Sequence, residues 1–257
     1  MNKKEIYNNY KVLLFADIYT NYNYPQRGLA AAKILKAVGV NLQLSEALPD
    51  GRAALSQGMI ATAAKRAIKT GKYLMSFIEQ GRDIVVVEPS VLAMFRRDYR
   101  HLLNDEDAFR KLSSHAFEPL EYLEKIINDN NLSLAEIFDI SKAESKDIFY
   151  HPHCQQKTIG GEQATKRILQ ALGFNVVYSD VECCGMAGSF GFKKEFYEVS
   201  MEAGRQLFKQ IEQSEAGDNK TKRSVLASGV SCSEQIDDGM GRSVRHPLEL
   251  LAEIINI

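Results

Sequence analysis

Apolar residues along this chain follow two alternating patterns. Short unbroken runs, "KVLLFAD" (11–17), "VNLQL" (40–44) and "DIVVVEP" (83–89), suit strands buried on both faces. The third ends at Pro89, which disfavours helical geometry at the residue before it. Between the strands, apolar residues recur at helical spacing. One helix opens at Pro25, carries Leu29, Ile34, Leu35 and Val38, and closes at Gly39, a residue that takes the left-handed conformation freely. "ALSQGMIATAAKRAIKTGKYLMSFIEQG" (54–81) reads as one long helix, with Gly71 as its break point. The same order then returns as "KDIFYHP" (146–152), "GGEQATKRILQALG" (160–173), "FNVVYS" (174–179), "KKEFYEVSMEAGRQLFKQIEQ" (193–213) and "SVLASG" (224–229). Strands alternating with helices predict an α/β fold of parallel sheets covered by helices.

The return is a duplication. An ungapped shift of 134 positions lays residues 30–51 over residues 164–185, with eight identities in 22 positions, among them Ile34/Ile168, Leu35/Leu169, Gly39/Gly173 and Gly51/Gly185. The fold class is therefore two pseudo-symmetric Rossmann-like repeats. The first covers residues 1–103, a helical connector covers 104–145, and the second repeat covers 146–257. The polar stretch 213–223, "QSEAGDNKTKR", reads as a mobile loop, and "HPLELLAEIINI" as a final helix begun by Pro247 after His246.

Charge narrows the partners. With 32 basic and 33 acidic residues, the chain has no electrostatic reason to bind nucleic acid or an anionic membrane. The apolar run near the start is too short for a signal peptide, and no stretch approaches membrane-spanning length, so a cytoplasmic protein is expected. No serine–histidine–acid arrangement, phosphate loop or dinucleotide fingerprint is present.

The four cysteines change the picture. In a reducing compartment, Cys154, Cys183, Cys184 and Cys232 point to metal binding or thiol chemistry rather than to disulfides. Each follows a strand of the second repeat, and ligands of open parallel sheets bind beyond the carboxyl ends of the strands. Three strand ends thus bring four thiols to one edge, where they could hold zinc or an iron–sulfur cluster. Adjacent Cys183 and Cys184 strain to ligate one tetrahedral ion but can reach different irons of a cluster. Gly185, Gly188 and Gly191 would let backbone N–H groups approach the cluster's sulfide. His153 is placed to donate a hydrogen bond to a cluster sulfur or to cap the segment that follows it. At the same offsets the first repeat has Thr20, Pro49, Asp50 and Val91, so only the second carries the thiol site.

The segments "HPHCQQKTIG", "ECCGMAGSFGF", "VSMEAG", "GVSCSEQI" and "RHPLELL" resemble the cysteine-rich CCG domains. These domains occur in pairs in the iron–sulfur subunits of FAD-linked glycolate and lactate oxidases and in the heterodisulfide reductase subunit that reduces its substrate. "PDGRAALSQG" and "EPSV" resemble the same family's segments with the cysteines gone. The resemblance implies a 4Fe-4S cluster on Cys154, Cys183, Cys184 and Cys232, with Gly185 and His153 beside it. In the heterodisulfide reductase version a fifth cysteine completes a non-cubane cluster, and here Gly229 stands at that position. Non-cubane cluster, cubane cluster and zinc thus remain open. The resemblance further implies an electron-transferring subunit of an oxidoreductase, partnered by a flavoprotein or a ferredoxin-type iron–sulfur protein. The alternatives are a heterodisulfide-reductase-like subunit that cleaves a disulfide at its cluster, and a zinc-stabilised scaffold with no redox role.

Overall fold

The apolar runs become parallel strands because every second residue faces a different helical layer. The computed structural model describes residues 8–216 and 222–256. The first half runs β1 (Lys11–Phe15), α1 (Ile18–Tyr22), α2 (Pro25–Ala37), β2 (Asn41–Leu44), α3 (Arg52–Ser56), α4 (Ile60–Ile78), β3 (Asp83–Val86), α5 (Pro89–Arg96), α6 (Glu106–Ser114), β4 (Ala116–Phe117) and α7 (Pro119–Asn130). After the short α8 (Leu134–Ile137) come β5 (Asp147–His151), α9 (Cys154–Thr158), α10 (Glu162–Ala171), β6 (Asn175–Tyr178), α11 (Tyr197–Glu215), β7 (Ser224–Ala227), α12 (Val230–Met240) and α13 (Pro247–Glu253). Among the described residues there are two all-parallel sheets, ordered β2-β1-β3-β4 and β6-β5-β7.

The two repeats share one core. In β1, Val12 and Leu14 face a cluster that also holds Ile34, Leu35, Tyr122, Ile126, Ile148, Tyr150, Leu169 and Leu251, drawn from both sheets and the helices between them. Helix α2 packs on α13, and α7 packs on α10. Leu13 and Phe15 point the other way, into a second cluster with α4 and α5. Phe149 does the same in the second half, and its cluster contains Cys184 and Cys232. Burial of this apolar surface is the main force holding the halves together.

Residues 104–145 do more than connect. β4 joins the edge of the first sheet, and α7 begins there with Glu118 and Pro119. In the second half Arg245 bridges β7 in parallel, and α13 begins with His246 and Pro247. "FEPLEYLEKI" (117–126) and "RHPLELLAEI" (245–254) are thus equivalent parts of the repeats.

Three local readings differ from the structure. The long helix expected at 54–81 is two helices, broken at Gly58 (φ +72°) rather than at Gly71. Gly71 continues α4, and its missing side chain gives Leu103 room to pack. Helices α5, α9 and α12, which start directly after strands, are short and carry no strong apolar repeat for periodicity to detect. Of the expected mobile loop 213–223, residues 213–215 extend α11 and 217–221 lie outside the described residues.

Candidate metal centre

Each cysteine sits where a strand of the second sheet gives way to a loop or helix. β5 ends at His151, and Cys154 is the first residue of α9. Cys183 and Cys184 lie in the loop after β6. Cys232 is in the first turn of α12, directly after β7. Cys184 and Cys232 are buried, while Cys154 and Cys183 are partly exposed.

The structure brings all four thiols together in a row. Cys154 lies within interaction distance of Cys183, Cys183 of Cys184, and Cys184 of Cys232. Among the described residues no three His, Cys, Asp or Glu side chains surround one point in a geometry that would hold a single ion. The sulfurs meet in series instead. Neighbouring Cys154 and Cys184 push the Cys183 thiol toward its ionised form. Cys184 does the same for Cys232, aided by nearby His153 and His151. Cys154 and Cys184 are pushed the opposite way, with burial adding to the effect. A donor set of this kind, four soft sulfurs brought together at one sheet edge, fits a cationic metal group.

The loop that carries the adjacent cysteines depends on glycine. Gly185 has φ +98°, and a Cβ there would lie 2.3 Å from the Ser200 carbonyl oxygen. Ser200 Oγ donates to the Gly185 carbonyl at 3.0 Å, and Gln235 Nε2 to the Ser200 carbonyl at 2.8 Å, which ties the loop to α11 and α12. The Gly185 N–H points to Cys183 Sγ at 3.4 Å, an arrangement in which backbone already serves a ligand sulfur. Gln57 Nε2, just after α3, donates to Ser189 Oγ, so the loop abuts the first half.

Of the two places the sequence offers His153, the structure shows the helix cap. His153 is buried and caps α9: its Nδ1 accepts the Gln155 N–H at 3.1 Å, and its Nε2 lies 3.2 Å from Ser231 Oγ. Both ring nitrogens are therefore engaged away from the sulfurs. The imidazole also fills the space beside Gly229, where a Cβ would come within 2.1 Å of its Cδ2. His151 is the group missed in the sequence. It is fully buried close to Cys232, its Nδ1 lies 3.0 Å from Ser179 Oγ, and its Nε2 has no hydrogen-bond partner. Its only sequence signal was its position two residues before the more conspicuous His153.

The first half closes the site from the other side. A cavity of about 590 Å³ is lined by Cys154, Cys183 and Cys184 together with Tyr19, Arg52 and Glu88. Glu88 Oε2 accepts the Val230 N–H at 3.1 Å, capping the helix that carries Cys232. Where the second half has thiols, the first half buries carboxylates. Asp17, Asp50 and Glu88 are all inaccessible or nearly so. Burial raises the Asp17 carboxyl to about 7 and also raises that of Asp50.

Comparison with known proteins agrees with this geometry. Residues 148–236 match the family described as "CCG: Cysteine-rich domain". The chain is 28% identical over 249 residues to one of the subunits of the anaerobic glycerol-3-phosphate dehydrogenase of Escherichia coli K12, covering 95% of this chain and 59% of that one. It is 26% identical over 246 residues to the D-2-hydroxyglutarate dehydrogenase of the same organism, covering 95% of this chain and 22% of that protein. It is 25% identical over 254 residues to lactate utilization protein A of an Exiguobacterium species, covering 95% and 96%. The chain therefore spans little more than half of the first of these relatives, about a fifth of the second and nearly all of the third. The match lies on the strands and loops that bring the four thiols together, and residues 148–236 carry a cysteine-rich domain of the CCG family.

Proposed function

We propose that this chain is an iron–sulfur redox subunit of an oxidoreductase, passing electrons to or from a flavoprotein or a ferredoxin-like partner. The observation that carries the reading is the row of four thiols at one sheet edge, with Cys154, Cys183 and Cys184 lining an open cavity and Cys232 buried behind them. Contact in series suits a polynuclear group, whose separate metal atoms take separate thiolates. Cys154, Cys183, Cys184 and Cys232 would hold it. When bound, a 4Fe-4S cluster, cubane or non-cubane, supplies one-electron uptake and release. The protein's own part is to shield the Cys184 and Cys232 side from water, to aim backbone N–H groups at sulfur through Gly185, and to leave the Cys154 and Cys183 side open to a partner.

The relatives support a partnered role. One is named a dehydrogenase subunit, and in another the matching stretch is 22% of a longer dehydrogenase. The cysteine-free first repeat, which the sequence bounds at 1–103 and which takes in residues 117–126 of the expected connector, is assigned to support and docking of the cluster-bearing repeat (146–257). Among the described residues no helix is long and apolar enough to cross a membrane.

Anaerobic purification tests the reading. The expected result is broad visible absorbance that bleaches on reduction, with iron and acid-labile sulfide in the protein. Stoichiometric zinc without visible absorbance would overturn it in favour of a scaffold. Reduction of a disulfide by the isolated chain with an artificial donor would move the reading to a catalytic, heterodisulfide-reductase-like role.

A further inference from the structure

Charge is balanced over the whole chain but not between its two matching outer helices. Helix α4 carries Lys65, Arg66, Lys69 and Lys72 and no acidic residue. Helix α11, at the same place in the second repeat, carries four acidic and two basic residues, and its Glu202 and Glu215 pair with Arg205 and Arg242. Among the described residues no carboxylate pairs with any of the four cations of α4. Lys65 and Lys69 stand one turn apart, a like-charge spacing that weakens a helix rather than supports it. Lys72 shares a groove with Glu79 and Asp105, whereas Lys65, Arg66 and Lys69 line a shallow concavity with Pro49, Ala61 and Thr62 and no acid. This basic stripe starts beside the metal cavity. Ser56 lines that cavity, Gln57 donates to Ser189 of the cysteine loop, and Met59 and Ile60 follow at the tip of α4, more than half exposed. From Ile60 to Lys69 the helix covers about 14 Å.

We propose that the first half of α4 is the docking face for the partner that exchanges electrons with the metal centre, and that this partner is a protein with an acidic surface around an apolar centre. The inference rests on the iron–sulfur reading and names the chemistry of the partner. Met59 and Ile60 supply a small apolar contact beside the cavity, and Lys65, Arg66 and Lys69 supply unpaired charge behind it. Brief redox encounters use small interfaces, in which charge speeds and orients association more than it adds affinity. An acidic protein answers both parts of this surface. Nucleic acid answers only the charge, since residues 59–69 include no aromatic ring on which a base could stack. A bilayer calls for an apolar stripe along the helix, and that of α4 is buried in the core through Ala63, Ala67 and Leu74. The net-acidic α11 repels the same partner from the outer helix of the second repeat.

Flavodoxin, a small acidic flavoprotein, serves as the probe, and cytochrome c, a small basic haem protein, as its opposite. With the cluster-loaded full chain, flavodoxin should associate at a rate that falls about tenfold or more between low and physiological salt, and cytochrome c should not. Lys65→Gln, Arg66→Gln and Lys69→Gln together should lower the low-salt rate about tenfold and flatten its salt dependence. Glu198→Gln with Glu202→Gln, on α11, should not slow association. Carbodiimide coupling, which joins a lysine to a carboxylate in contact with it, should map to Lys65 and Lys69. Flavodoxin that does not associate, that associates equally well with the triple variant, or that couples elsewhere would overturn the inference while leaving the metal centre in place. Binding to phosphatidylglycerol vesicles that the triple variant loses, with flavodoxin unaffected, would overturn it in favour of a membrane surface. A native chain that holds no cluster would remove the iron–sulfur reading, and the carbodiimide map, which needs no cluster, would still decide whether α4 takes an acidic protein.

Discussion

The two repeats place different chemistry at the same edge of the same scaffold. In the second, thiols meet one another, and the Cys183 and Cys232 thiols are pushed toward their ionised forms by their cysteine neighbours. In the first, carboxylates meet backbone. Asp17 accepts the Tyr19 and Thr20 N–H groups, Asp50 accepts the Arg52 N–H at 2.6 Å, and Glu88 accepts from Ser90 and from Val230 across the interface. A helix start at a sheet edge leaves N–H groups without partners, and a short acidic side chain satisfies them. At least one oxygen of each carboxylate is thus taken up by backbone, while Asp17 Oδ2 and Asp50 Oδ2 stay buried without a partner and burial raises the Asp17 carboxyl to about 7. The thiols have the softness to hold a metal, which the carboxylates lack. That difference separates a supporting repeat from a binding one, although both bury polar groups at equivalent places.

The largest test of this contrast is metal content. Cys184→Ser should remove most or all of the bound iron, because an alkoxide is a poor substitute for a thiolate. Asp50→Asn, at the matching position, keeps an acceptor for Arg52 and should bind as much iron as the native chain. Iron and sulfide analysis of the two variants reads the outcome directly. Iron lost from Asp50→Asn would mean that the first repeat supplies a ligand.

A smaller contrast lies in the paired glycines. Gly51 and Gly185 both have positive φ, +101° and +98°. A Cβ on Gly51 would lie 2.9 Å from the Ala63 carbonyl oxygen, but one on Gly185 would lie 2.3 Å from that of Ser200. Left-handed backbone at a non-glycine residue costs about 1–3 kcal/mol, and at both positions the added Cβ also collides with a backbone carbonyl, slightly at Gly51 and deeply at Gly185. Gly51→Ala should therefore cost about 3 kcal/mol and Gly185→Ala more, with displacement of the Cys183–Cys184 loop. Urea unfolding of both variants ranks them, and equal losses would show that the cysteine loop yields more easily than its packing implies.

How much of this was legible in the sequence follows from which residues speak for themselves. The strands were readable because "KVLLF" and "DIFYH" are buried on both faces, and the duplication because eight identities survive in one window. The thiol site was readable because three cysteine segments each follow a strand. His151 was not, because a buried histidine differs from a surface one only by what surrounds it. Nor was the carboxylate edge, since Asp17, Asp50 and Glu88 are far apart in the chain and only folding brings them to one wall. The unit boundary was obscured for a similar reason. β4 is two residues long, too short for any apolar pattern, yet it fixes α7 as the counterpart of α13.

That counterpart relation yields the subtlest expected effect, in the pH dependence of stability. Glu118 and His246 occupy the same position, each buried at the start of its helix before a proline. Burial acts on them in opposite senses. It raises the Glu118 carboxyl from 4.5 to about 8, with Glu121 and Glu162 adding to the rise and Gln156 and Arg96 opposing it. It lowers the His246 imidazole well below 6.5, and nearby Arg27 lowers it further. Between pH 4.5 and about 8 the folded chain holds a proton on Glu118 that the unfolded chain has lost. The stability from Glu118 is therefore complete below 4.5 and disappears as pH rises through about 8, at about 1.4 kcal/mol per pH unit. Below pH 6.5 the unfolded chain protonates His246 and the folded chain does not, so its contribution falls as pH falls, with a similar slope of about 1.4 kcal/mol per unit. Below 6.5 the two slopes oppose each other, and from 6.5 to about 8 only that of Glu118 remains. Glu118→Gln should therefore lessen the loss of stability above pH 6.5 and expose a steeper loss below it. His246→Asn, which keeps an acceptor for the Leu248 N–H, should do the reverse on the acid side. Unfolding free energies of the three proteins across this range, at one fixed state of metal loading, test the pair. Parallel curves for the native chain and Glu118→Gln would show that the Glu118 carboxyl is not held protonated at the interface between the repeats.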